Sequence, residues 1–276
     1  MEAKYYLPLI HPKKLSFYPF IRVGGFGLGN MLFPFFRALT CSIRDSASLL
    51  YPHHNQFQPR NFLRELNKDS LRNYSSDFEK FKWSSLPIIN SLTIYYSRSW
   101  KNEYYLDSYP NILFYGYKNY FYDLIDYRDL IKNYIYYSFK ISKKNPKNKV
   151  AYHLRLGDFL INKQNVSPEK VLESLNYFTK NLLLDVEIYS DSTLEQINKF
   201  LGIKKLPSKT TLVKSLSPMH DLIKMSQAKY ICGNPYSTFV EWAKFLSYHE
   251  QVSYSLHDKS ISQNIFVSPI KWHNFL

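Results

Sequence analysis

Residues 150–156, VAYHLRL, form an apolar run that stops at Gly157 and Asp158. The run reads as a buried β-strand ending in a turn. From there the chain alternates regularly. Residues 167–182, SPEKVLESLNYFTKNL, open with a serine cap and a proline at the first helical position. Residues 185–190, DVEIYS, read as a strand, and residues 193–202, TLEQINKFLG, as a helix stopped by Gly202. A helix over 219–228, a strand over 229–233 (KYICG) and a helix over 237–249 (STFVEWAKFLSYH) follow. Strands alternating with helices predict an α/β fold: a parallel sheet covered by helices on both faces.

The first half starts in the same way. Residues 20–25, FIRVGG, read as a short strand, followed by a glycine-rich loop and then apolar residues at helical spacing from Met31 onward. Pro34 is expected in the first turn of that helix, where its missing N–H matters little. Helices are expected near 62–72 and 78–83, a strand at 111–117 (NILFYGY), and helical spacing over 122–139. Residues 140–149, KISKKNPKNK, carry five lysines, two asparagines and a proline and read as a surface linker. The expected division is therefore 1–143 and 144–276.

Composition narrows the class. At 276 residues and 45% hydrophobic, the chain can bury a sizeable core. No apolar run reaches the length of a bilayer-spanning helix, and the N-terminus lacks a signal-peptide core. A cytoplasmic protein is expected. The two cysteines, Cys41 and Cys232, offer neither a disulfide framework nor zinc-ligand spacing; both read as small buried apolar residues. The net charge of +14 attracts anionic partners. Codon bias toward Lys, Asn, Ile, Tyr and Phe supplies a competing explanation for the lysine excess. Peripheral contact with an anionic membrane, on its inner face, is one expectation from that charge. Nucleic acid is not an expected partner, because no binding motif accompanies the charge and the aromatics fall mostly at core spacing.

Three segments carry chemistry. Gly24, Gly25, Gly27 and Gly29 precede Asn30 at a helix start, where free N–H groups face an anion. The spacing matches neither the dinucleotide nor the Walker pattern, so taken alone the loop favours a tight structural turn. His153 and Arg155 lie two apart at a strand end, the position where open α/β sheets bind ligands. Arginine presents a planar fork to phosphate oxygens, and Asp158 can hold the following loop through its N–H groups. Ser237 and Thr238 stand at a third strand-to-helix turn, where hydroxyls and N–H groups can cradle phosphate. Surface ion pairing, a satisfied core histidine and an ordinary serine cap are the plain alternatives for these residues.

Taken in order, these segments resemble bacterial α-1,2-fucosyltransferases of glycosyltransferase family 11. GLGNMLFPFFRAL (27–39) is similar to the family's G-L-G-N-Q-L-F-x-Y-A-x-A-x-x-L, and HLRLGD (153–158) to its H-I-R-R-G-D. EIYSDS (187–192), DLIKMSQAKYI (221–231), STFVEWAKFL (237–246) and VSPIKW (267–272) resemble its later segments. The series spans Gly24 to Trp272, while residues 45–110 match nothing in the family. Departures occur at Met31, Leu156, Tyr236, Val240 and Glu241.

The resemblance implies two Rossmann-like domains facing across a cleft, the GT-B architecture. It implies an N-terminal acceptor-side domain (1–143) and a C-terminal GDP-sugar domain (144–276). The implied reaction is inverting transfer of L-fucose from GDP-β-L-fucose to a galactose hydroxyl of an oligosaccharide or lipid-linked glycan. Arg155 and Asn30 are the catalytic candidates. Gly27, Gly29, His153, Asp158, Asp191, Ser237, Thr238 and Phe239 are the donor-binding candidates. The chain has no Asp-x-Asp, so neither a metal nor another cofactor is expected; cation and backbone N–H groups would stabilise the leaving diphosphate. Another GDP-deoxysugar, or a silent nucleotide- or glycan-binding relative, remains open on the departures. A basic nucleic-acid-binding protein stands further off.

Overall fold

The structure is a computed structural model that describes residues 5–9, 27–49, 95–97, 111–115, 120–142, 146–156, 167–234, 237–256 and 272–274. The chain divides into two compact units, Met1–Ile141 and Ser142–Leu276. The expected strand at 20–25 and helices at 62–72 and 78–83 lie outside the described residues, as does Asp158.

The first unit holds a parallel sheet of β1 (Tyr5–Leu9), β2 (Ser48–Leu49), β3 (Tyr95–Ser97) and β4 (Asn111–Tyr115), in the order β2-β1-β4-β3. Helix α1 (Leu28–Arg44) connects β1 to its parallel neighbour β2. Its residues are apolar on nearly every side, and all from Met31 to Ser42 are buried. A helix apolar all round belongs inside a core. The polar groups it carries there are satisfied locally: Thr40 Oγ1 donates to the Phe36 carbonyl at 2.7 Å and Ser42 Oγ to the Leu39 carbonyl at 2.8 Å. Arg37, also buried, lies 3.3 Å from Asp123 and donates to the Tyr120 carbonyl at 3.1 Å. That pair anchors residues 120–127 to α1 ahead of α2 (Arg128–Ser138). Burial pushes the Arg37 guanidinium down to about 10, and Asp123 opposes the shift.

Two expectations for this unit are corrected. Pro34 sits inside α1 rather than in its first turn, because the helix begins at Leu28. Leu28 and Gly29 are buried, and the helix supplies donors for their carbonyls where water cannot. Pro34 therefore leaves the Asn30 carbonyl without its intrahelical donor. Residues 122–139 are not one helix: a turn and a 3₁₀ segment (Ile125–Tyr127) precede α2.

The second unit contains β5 (Lys147–Leu154), α3 (Pro168–Asn176), a π-helical turn (Tyr177–Asn181), β6 (Asp185–Ser190), α4 (Leu194–Leu201), β7 (Thr210–Leu212), α5 (Pro218–Ser226), β8 (Ala228–Gly233), α6 (Thr238–Leu246), β9 (Val252–Ser255) and β10 (Trp272–Asn274). All six strands are parallel, in the order β10-β9-β8-β5-β6-β7. Along β5 the residues alternate between faces. Val150, Tyr152 and Leu154 join Val171, Leu175, Phe178, Ile197 and Leu201 of the α3–α4 layer in one core. His153 points the other way, against Phe239 of α6. Strand β5 begins three residues earlier than its apolar run. Lys147 donates its N–H to the Gln227 carbonyl at 3.0 Å, and the Lys149 amine pairs with Glu187, so the lysines enter the sheet while their charges stay at its edge. Cys41 and Cys232 are free and buried, and burial pushes both thiols up.

The helix ends follow from local chemistry. Ser167 accepts the Lys170 N–H at 3.3 Å with Pro168 beside it. Thr193 and Gln196 form a capping box on α4. Gly202 ends α4 in the left-handed region at φ 65°, and a Cβ placed there would meet nothing within 4 Å. Gly202→Ala is therefore expected to destabilise through backbone conformation alone, by about 1 kcal/mol in urea unfolding. A neutral result would show that another residue type holds this turn without strain.

Candidate active site

The strand order reverses between β5 and β8. From β5 the chain steps outward to β6 and β7, then returns to the other side of β5 and steps outward again through β9 and β10. Connections that leave a sheet in opposite directions open a crevice at the carboxyl ends of the two central strands. His153 and Arg155 lie at that end of β5, and Gly233 and Asn234 at that end of β8.

Close packing shapes this point. A Cβ on Gly233 would stand 3.2 Å from Val240 Cγ2 and 3.3 Å from His153 Cβ. A side chain there would make its neighbours give by a few tenths of an ångström. The approach seats the His153 ring on Phe239, with centroids 5.3 Å apart and planes 27° from parallel. Both side chains are half-buried. Ser237 is the N-cap of α6, is 7% exposed and makes no side-chain cap hydrogen bond. The first helical bond runs from Glu241 N–H to the Ser237 carbonyl at 3.0 Å. The N–H groups of Thr238, Phe239 and Val240 thus have no acceptor within the helix. They lie at the positive end of its dipole, beside the crevice.

Asp191 follows β6, the neighbour of β5 on its other side. Its Oδ1 accepts the Leu156 N–H at 3.0 Å. The carboxylate thereby holds the two residues that follow β5, Arg155 and Leu156. Thr193, not Asp191, caps the following helix. Leu156 is 2% exposed and part of the α3–α4 core. At the position where the sequence departs from H-I-R-R-G-D, the side chain is a packing residue.

His153, Arg155, Asp191, Ser237, Thr238 and Phe239 therefore share the carboxyl edge of one sheet. Asn30, Gly27 and Gly29 belong to the first unit. Gly27 is the N-cap of α1, with no side-chain cap bond and no acid in the first turn. Asn30 donates its N–H to the Gly27 carbonyl at 3.0 Å, while its buried Oδ1 has no partner among the described residues.

Two contributors take their role only from the folded structure. The first is Gly233, whose role depends on which strand and helix meet there. The second is a buried ion pair. Lys244 Nζ lies 3.0 Å from Glu241 Oε1, with side chains 0% and 1% exposed. Burial pushes the Lys244 amine below its ordinary value, and Glu241 opposes the shift. The pair keeps a first-turn carboxylate neutralised next to the open N–H groups of α6. The spacing of three on a helix was readable, but burial of both charges was not.

No family model and no curated protein matches the chain. Solved structures do align along its length. POFUT1 in complex with GDP-fucose aligns at a TM-score of 0.49 and 14% identity, over 92% of this chain and 98% of that one. POFUT1 in complex with GDP gives 0.48 and 12%, over 93% and 99%. The fucosyltransferase NodZ from Bradyrhizobium gives 0.42 and 11%, over 90% and 94%. Likeness of this order carries no activity from one chain to another. The α/β class rests on the two parallel sheets themselves.

Lys244→Met strands a buried carboxylate and is expected to destabilise the protein by about 3–5 kcal/mol. Adding Glu241→Gln to it should recover most of that loss in the same denaturant titration. A double variant no more stable than the single would show that the pair is held by packing instead of charge.

Proposed function

We propose that the chain is a glycosyltransferase that takes GDP-β-L-fucose as donor and forms an α-1,2 linkage to a galactose hydroxyl, with inversion. The observation that carries the reading is a convergence. Three segments that resemble family 11 motifs, far apart in sequence, supply the residues around one point, the carboxyl ends of β5, β6 and β8 at the strand-order reversal.

In this reading the diphosphate lies over the N-terminus of α6. The N–H groups of Thr238, Phe239 and Val240 and the Ser237 and Thr238 hydroxyls face its oxygens. Arg155 supplies the cation, and His153, oriented by Phe239, faces the nucleoside end. Asp191 holds the Arg155 turn through Leu156. By the resemblance, Asn30, Gly27 and Gly29 at the start of α1 have roles toward the donor, and the first unit has the acceptor role. The acceptor oxygen attacks the anomeric carbon as the bond from that carbon to the β-phosphate oxygen breaks. GDP leaves with the electron pair, and the acceptor hydroxyl proton passes to a base. The developing charge on GDP is stabilised by Arg155 and preorganised N–H groups, without metal.

Leu156 favours a second reading. It stands where the family motif has a second arginine, so the segment carries one cation fewer, and its side chain packs in the core; this points to a different GDP-deoxysugar or to nucleotide binding without transfer.

Two measurements test these readings. Melting of the full chain is expected to rise with GDP and GDP-fucose in EDTA, and not with UDP, UDP-glucose or ATP. Stabilisation by UDP or ATP alone would overturn the donor assignment. Stabilisation by GDP with no transfer from GDP-fucose across an acceptor panel would select the second reading. Arg155→Ala should lower turnover by about 10²-fold or more at unchanged melting temperature. Unchanged turnover would remove Arg155 from the mechanism.

A further inference from the structure

The amino edge of the second sheet, opposite the candidate site, has its own chemistry. The loop entering β6 presents Leu182 and Leu183 at 37% and 67% exposure. Leu183 adopts φ 54° and Lys209, entering β7, φ 61°. Both are left-handed conformations that a Cβ disfavours. The two loops are joined: Lys209 Nζ donates to the Leu183 carbonyl at 3.0 Å, and the Val186 N–H to the Lys209 carbonyl at 2.8 Å. The left-handed Leu183 ends the π-helical turn, where the Leu184 N–H donates to the Phe178 carbonyl at 2.9 Å, and it leaves its side chain in water. The segments that lead into β6 and β7 also carry Lys180, Lys204, Lys205 and Lys209, all exposed, and Lys204 is held through its carbonyl by Asn198 at 3.4 Å. Asp185 is the exposed acid between the two loops.

We propose that this edge docks on an anionic lipid bilayer, with Leu182 and Leu183 entering the interface and the exposed lysines of the two loops meeting the headgroups. The charge is complementary to anionic headgroups, and each lysine near such a surface strengthens binding about fivefold. The exposed leucines set a bilayer apart from a polyanion such as nucleic acid, which offers no apolar layer to receive them. The chain carries +14 in total, so long-range attraction works in the same direction. Docking by this edge turns the carboxyl ends of the strands away from the bilayer. The inference is independent of the donor assignment.

The test is co-sedimentation of the full chain with vesicles of phosphatidylcholine alone and of phosphatidylcholine with phosphatidylglycerol. The wild type is expected on the anionic vesicles only, and to be released by salt. Lys204→Glu with Lys205→Glu should weaken binding on the order of a hundredfold or more. Leu183→Gly should weaken it severalfold while melting no lower than the wild type, since glycine relieves the left-handed strain. Lys209→Gln gives a second reading on the same lysines if the glycine variant folds poorly. Equal binding to both vesicles, or variants that bind like the wild type, would overturn the proposal. So would capture by random-sequence oligonucleotide that the leucine variant leaves intact and that exceeds vesicle binding.

Discussion

The second unit depends on the distance between Gly233 and His153. The two central strands of its sheet, β5 and β8, are also the two between which the strand order reverses. Helix α6 leaves β8 and folds back over the face that carries His153. Gly233 offers no side chain between Val240 and His153, where a Cβ would make its neighbours give by a few tenths of an ångström. The approach brings the Phe239 ring onto His153 and the start of α6 beside the end of β5, while Asp191 holds Leu156 next to Arg155. A larger residue at 233 would strain that contact.

Buried charge appears in both units, handled in the same way. Arg37 with Asp123 and Lys244 with Glu241 are close pairs removed from water. Such pairs are seldom strong contributors to stability compared with apolar packing, but breaking one is expensive. Their effect is to fix geometry. One ties residues 120–127 to α1; the other sets the charge next to the start of α6. Asp191 acts alike at smaller scale, binding a backbone N–H of the adjacent strand's turn and so linking β6 to the end of β5.

The elements of the second half were largely legible. DVEIYS, TLEQINKFLG and the SP-initiated helix carry their own boundaries in caps, glycines and alternation, and the structure ends them at the same residues or within a few. Short strands were not legible. Thr210–Leu212 and Val252–Ser255 are too brief for a period of two to stand out, and they pair only because longer neighbours present an edge. β1 is not flagged by the sequence, and its Pro8 takes a place opposite Phe114 in a parallel ladder, where proline is uncommon. Pro34 was misplaced because the apolar spacing of α1 is read from Met31, whereas burial of Leu28 and Gly29 extends the helix backward.

What the sequence determined by itself was local: which segments are helix or strand, where they stop, that the second half is a parallel α/β sheet, and that His153, Arg155, Ser237 and Thr238 stand at strand ends. Those properties depend on neighbours within a turn or two of the chain. The tertiary structure decided the rest. It made Leu156 a core residue, bound an Asp191 oxygen to the backbone just past β5, packed Gly233 tightly against Val240 and His153, buried Lys244 beside Glu241 and left Leu183 exposed in a left-handed conformation. Each of these depends on which residue arrives from a distant part of the chain, and strand order, not sequence distance, sets that.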